Sequence, residues 1–173
     1  MKRKSILKWF ILAIAIAINL FILINALMNG ETSSKESSNV AEILASIINI
    51  FKHDAINQEN FGSFVKYVRK IVGHFALFAF SGGFTTWAIY LFLKDTKFAY
   101  YLWQSLFTFA FGFSLALVTE FAQTFVEGRS GAWGDVGIDI GGYFIGFFLV
   151  ILILFLKKSP IFHRPENMKN EAK

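Results

Sequence analysis

Residues 136–156 read VGIDIGGYFIGFFLVILILFL, a run of 21 positions in which Asp139 is the only charged side chain. At 1.5 Å per residue a helix of that length covers about 31 Å, close to the thickness of a bilayer's hydrocarbon. Such a stretch predicts a membrane-spanning helix. Working outward, three more blocks of the same kind appear at about Trp9–Met28, Val72–Leu93 and Tyr100–Thr119. With 55% hydrophobic and 17% charged residues and a mean hydropathy of +0.51, the 173-residue chain has its apolar residues in long blocks and not scattered as in a soluble domain. The expected fold class is therefore all-α, a polytopic membrane protein with four transmembrane helices.

The charges give the direction. Lys2, Arg3, Lys4 and Lys8 precede the first block, and Lys157, Lys158, Arg164, Lys169 and Lys173 follow the last. With both termini cytoplasmic, 11 of the 17 lysines and arginines lie inside and 9 of the 12 carboxylates outside, as the positive-inside bias requires. Lys66, Arg69 and Lys70 run against it just before the second block. The basic residues flank apolar segments without interleaved exposed aromatics, so an anionic leaflet explains them and nucleic acid is not an expected partner. The first block lacks a small-x-small cleavage site after a short apolar core, which favours an uncleaved anchor over a signal peptide. Trp87, Trp103, Tyr90, Tyr100 and Tyr101 fall toward block ends, where amphipathic rings meet headgroups. The expected location is the bacterial cytoplasmic membrane.

The divisions are a basic N-terminus and first span (1–28), an extracytoplasmic loop (29–71), a three-helix core (72–156) and a basic tail (157–173). Within the loop, residues 29–39 read as a flexible linker rich in Ser, Asn and Gly. Val40, Ile43, Leu44, Ile47, Ile48 and Phe51 then recur at helical spacing, predicting a short amphipathic helix that packs on the bundle or lies along the interface.

Ionisable residues in the core collect at one depth, the outer ends of three spans. His74 opens the second, Glu120 and Gln123 close the third, Arg129 lies in the connection, and Asp135 and Asp139 open the fourth. Glu120, Gln123 and Glu127 share a face if the third helix continues. Asp135, Asp139, Gly142 and Gly146 share another, and Gly137-x-x-x-Gly141 with Gly142-x-x-x-Gly146 removes bulk for helix packing. Carboxylates near hydrocarbon persist when protein or trapped water shelters them. Arg129 is the fork-shaped partner expected for one carboxylate, and His74 donates to another. One reading is a network that only orients helices. The other is an outward polar cup in which Arg129, with Lys66, Arg69 or Lys70, meets an anionic group while His74 and Glu120 handle a proton. Glycines 128, 131 and 134 with Ser130 give the connection freedom to expose amides, without the lysine and strand of a P-loop.

Absence of cysteine excludes thiolate chemistry and sulfur-ligated metals. His74, Glu120, Asp135 and Asp139 are ligand types suited to zinc, but no compact spacing supports a site, so no metal or other cofactor is expected. His53 and His163 read as loop and tail residues, and Ser81 and Ser130 lack a local base.

The residues Arg69-Lys70 before Gly73-His74-Phe75, then Glu120-Phe121-Ala122-Gln123-Thr124-Phe125, Arg129, Asp135, and Gly142 with Gly146 resemble the VanZ-like family of bacterial membrane proteins over about residues 60–156. Asp139 departs from the asparagine that the family usually carries four residues after its aspartate. The resemblance implies an envelope protein connected with low-level resistance to glycopeptides, teicoplanin above all, and acting at the outer surface near lipid-linked cell-wall precursors. The polar cup assigns His74 and Glu120 as proton-handling groups and Lys70, Gln123, Arg129, Asp135 and Asp139 as ligand-binding groups. The expected partner is a membrane lipid, a lipid-linked precursor or a glycopeptide. An enzyme modifying a lipid head group and an assembly partner in an envelope complex are the alternative classes. A transporter lacks support because no pair of broken-helix repeats is present.

Overall fold

The computed structural model describes residues 2–93 and 98–158, with side-chain surroundings from residue 6 onward except for 94–102 and 157–158. Predicted features at residues 94–97, at Tyr100 and Tyr101, and in the tail from 159 onward lie outside what is described. All regular structure among the described residues is helical: α1 (Lys2–Ala26), α2 (Gly30–Phe51), α3 (Phe61–Val68), a π-helical segment (Arg69–Ala76), α4 (Leu77–Leu93), α5 (Phe98–Gln123) and α6 (Trp133–Lys158). Among the described residues four stretches are long and apolar enough to cross a membrane, Ile6–Ala26, Phe61–Leu93, Trp103–Gln123 and Trp133–Leu156. The chain is a multi-pass membrane protein.

α4 occupies the centre and touches α1, α5 and α6. Close approach to α6 depends on glycine: a Cβ on Gly142 would overlap the Phe75 carbonyl, one on Gly146 the Ala79 carbonyl, and one on Gly82 the Tyr143 carbonyl. Around this contact Ile22, Phe78, Leu115, Val136 and Tyr143 form one apolar cluster, and Ile11, Ala15 and Ala88 a second nearer the other end. Gly137 and Gly141 do not take part. A Cβ on either meets nothing within 4 Å among the described residues of the chain, so neither makes a close helix contact there. They lie off the Asp139–Gly142–Gly146 stripe, and successive helix positions turn by about 100°.

Several polar groups inside the spans pair with one another, whereas, among the described residues, Gln104 Oε1, Asp139 Oδ2 and the Tyr143 hydroxyl are buried without a hydrogen-bond partner. Asn19 donates to Thr85 Oγ1 (3.2 Å) and to the Ala15 carbonyl (2.8 Å), and Ser81 donates to Asn19 Oδ1 (2.7 Å), locking α1 to α4.

Two local predictions fail for identifiable reasons. Residues 30–39 are helical, not linker, because Asn29 caps the helix by accepting from the Thr32 amide (2.8 Å) and Glu31 sits in the first turn. α2 also turns its small residues inward: Gly30, Ser33, Ala41 and Ala45 are buried, whereas Ile43, Ile47, Ile50 and Phe51 are exposed. The apolar face thus lies outward, as on an interfacial helix. The second helix begins at Phe61 rather than Val72. Its 33 residues span about 50 Å, so the turns bearing Lys66, Arg69 and Lys70 extend beyond the hydrocarbon and the basic residues cost little there.

Candidate functional site

The C-terminal end of α1, the π segment, the end of α5 and the start of α6 meet at one end of the bundle. A π turn widens the helix and shifts the register of side chains, and such turns recur at functional sites. Here the segment turns His74 inward while Lys70 reaches out. His74 lies against two carboxylates from different helices, with Nδ1 3.1 Å from Asp139 Oδ1 and 3.7 Å from Glu120 Oε1. With Asp139 ionised and no cation bound, the first contact is a hydrogen bond that Nδ1–H donates to the carboxylate. All three are sheltered: relative exposure is 8% for His74, 4% for Glu120 and 1% for Asp139.

The surroundings hold this group in place. Gln123 Nε2 donates to Glu120 Oε1 (3.2 Å), and the Ala132 amide donates to Glu120 Oε2 (2.9 Å). The glycine-rich connection therefore spends an amide on its own carboxylate and does not present it to an outside anion. Gly131 fits beneath because a Cβ there would overlap the Glu120 carbonyl. Gly128 adopts a positive φ of 73°, which glycine tolerates best. A Cβ on Gly30 would overlap its carbonyl, and the Gly30 amide donates to Glu127 O (2.9 Å), so the start of α2 docks on this connection. Glu127 is not on the Glu120–Gln123 face as expected, since α5 ends at Gln123.

Between these elements lies a cavity of about 250 Å³. It is lined by the polar His74, Asp139, Gln123 and Thr119, by the charged Arg69, Arg129 and Glu36, and by the apolar Phe21, Ile22, Val68, Val72, Leu77 and Phe78. Ser33, Ser37 and Val40 of α2 also line it. On its other side Glu120 borders a more apolar groove with Leu117, Phe121, Trp133 and Val136.

Arg129 does not pair with a carboxylate. Among the described residues neither it nor Arg69 forms an ion pair, and Arg129 Nε is buried without a hydrogen-bond partner. Burial, then the nearby charge of Arg69, push the Arg129 pKa below its ordinary value. The guanidinium stays charged in neutral solution all the same. Asp135 instead pairs with Lys70 (Oδ1–Nζ 3.2 Å), and neither lines the cavity. The structure thus brings together His74, Glu120, Gln123, Arg129 and Asp139, and sets the Lys70–Asp135 pair beside them. Reasoning from sequence missed the α2 wall and the place of Thr119 in the lining. The three- and four-residue spacing of small residues from Gly30 to Ala45 was the signal for the first.

The sequence matches the VanZ/LLP1 family model over residues 9–155. The chain belongs to that family. The match begins in α1, so the VanZ/LLP1 unit includes the first span as well as the three-helix core carrying the His74 cluster. Neither a curated protein nor a solved structure matches the chain.

Proposed function

We propose that this VanZ/LLP1 protein binds the anionic head of an amphiphile, a lipid or lipid-linked cell-wall precursor, in the cavity beneath α2 at the extracytoplasmic face of the bacterial cytoplasmic membrane. One observation supports the reading: a partly apolar cavity lined by both Arg69 and Arg129, neither of which, among the described residues, forms an ion pair, with Glu36 as the acidic residue on the same lining beside His74 and Asp139. Two like charges held together favour an anion between them, and guanidinium forks suit phosphate oxygens. Phe21, Ile22, Val72, Leu77 and Phe78 offer the adjoining surface that an acyl or prenyl chain needs. Gln123 and His74 add polar groups to the lining. Occupying or shielding lipid-linked precursors in this way would lower susceptibility to teicoplanin, which acts at the same surface. The outward orientation rests on the distribution of lysine and arginine along the sequence.

The test is binding to full-length protein in nanodiscs. A polyprenyl phosphate binds more tightly than the matching polyprenol, and Arg129→Gln weakens the phosphate by about tenfold to a hundredfold, the worth of one charge-assisted hydrogen bond. Equal affinity for phosphate and alcohol, or no change in either Arg129→Gln or Arg69→Gln, contradicts the proposal.

A second reading draws on the position of His74 between Asp139 and Glu120, an arrangement that can move a proton during modification of the bound head group. Product formation by purified protein, abolished in His74→Gln with binding retained, distinguishes catalysis from recognition.

A further inference from the structure

We propose that His74, Glu120 and Asp139 form a divalent-metal site, suited best to zinc, at the edge of this cavity, which His74 and Asp139 line. One ligand atom from each residue lies within 4.8 Å of the others. Four donors placed tetrahedrally at zinc–nitrogen and zinc–oxygen distances of ~2.0–2.1 Å stand about 3.3 Å apart. His74 Nδ1 lies 3.1 Å from Asp139 Oδ1 and 3.7 Å from Glu120 Oε1, on either side of that value. Imidazole with two carboxylates is a donor set for zinc, manganese or iron(II), and the tetrahedral spacing favours zinc.

An independent observation points the same way. Asp139 is 1% exposed, yet its Oδ2 has no hydrogen-bond partner. Two buried carboxylates converge with a single imidazole between them, and among the described residues no lysine or arginine forms an ion pair with either. A divalent cation neutralises both charges, and Asp139 has oxygens to spare for it. Glu120 also has the outer support typical of a ligand, since Gln123 and the Ala132 amide fix its two oxygens and each retains a free lone pair. Three protein ligands would leave one coordination position, and since His74 and Asp139 line the cavity, a molecule held there could fill it. An anionic oxygen of the proposed ligand would complete the coordination with Arg69 and Arg129 nearby. The inference rests on the preceding reading for that fourth ligand only. Sequence spacing concealed the cluster because 46 and 19 residues separate its three members.

Zinc itself is the probe. Full-length protein stripped with chelator and dialysed against zinc without added lipid takes up about one ion per chain, and cobalt(II) in its place gives the intense visible absorption of a four-coordinate site. Asp139→Asn and Glu120→Gln keep the side-chain shape and weaken zinc by about tenfold to a hundredfold, with circular dichroism and monodispersity reporting that both remain folded. Uptake far below one ion per chain, or binding that persists equally in both variants, overturns the site. Loss of zinc binding alongside phosphate selectivity dependent on Arg129 removes this inference alone. Zinc binding in a protein indifferent to phosphate removes the recognition reading and leaves the metal site standing.

Discussion

His74 and Asp139 depend on each other. Asp139 is almost fully enclosed, one of its oxygens already lacks a partner, and the other faces the imidazole at 3.1 Å. Deleting the imidazole strands a buried carboxylate, and breaking such a pair costs about 3–5 kcal/mol. Removing the carboxylate as well relieves part of that cost. In chelator-containing buffer, unfolding of detergent-solubilised His74→Ala, Asp139→Ala and the double variant therefore yields a coupling of about 1 kcal/mol or more in a double-mutant cycle. Additive losses would mean that the two side chains contribute independently. Arg129 differs: among the described residues it holds no ion pair, so its replacement is expected to affect ligand binding more than stability.

Among the helices, glycine placement separates contact from decoration. Gly142 and Gly146 face backbone carbonyls of the π segment and α4, while Gly137 and Gly141 have no such neighbour among the described residues. Gly142→Ala or Gly146→Ala forces α6 away from α4, with an expected loss of about 1–3 kcal/mol from overpacking. Gly137→Ala and Gly141→Ala create no overlap and gain about 0.5–1 kcal/mol of helix propensity. Thermal unfolding in detergent compares the four variants directly; equal destabilisation would refute the assigned contact face. Both GxxxG patterns were visible in the sequence, but the motif alone does not say which face meets a neighbour. The amphipathic helix shows a related limit. Its apolar spacing was legible, whereas its inward side is the row of small residues Gly30, Ser33, Ala41 and Ala45, since a close backbone approach to the Gly128 turn outweighs apolar bulk.

For the whole chain, four spans and the gathering of His74, Glu120, Gln123 and Asp139 at one end followed from block length and the cost of charge in hydrocarbon. Partner choice did not follow. Arg129 was expected to meet a carboxylate, but Lys70 takes Asp135, and both Arg129 and Arg69 line the cavity instead. Those pairings depend on the rotation of each helix, which one-dimensional spacing leaves free. The same geometry supplies a direct handle on the central proposal. Ser37 lines the cavity from α2 and the chain has no cysteine, so Ser37→Cys places one thiol at the site. The decisive measurement is its rate of alkylation by a membrane-impermeant maleimide in right-side-out membrane vesicles, with and without a polyprenyl phosphate. The account predicts labelling from the outer side that slows when the phosphate is bound; labelling only after the vesicles are opened, or at the same rate with ligand present, would contradict it.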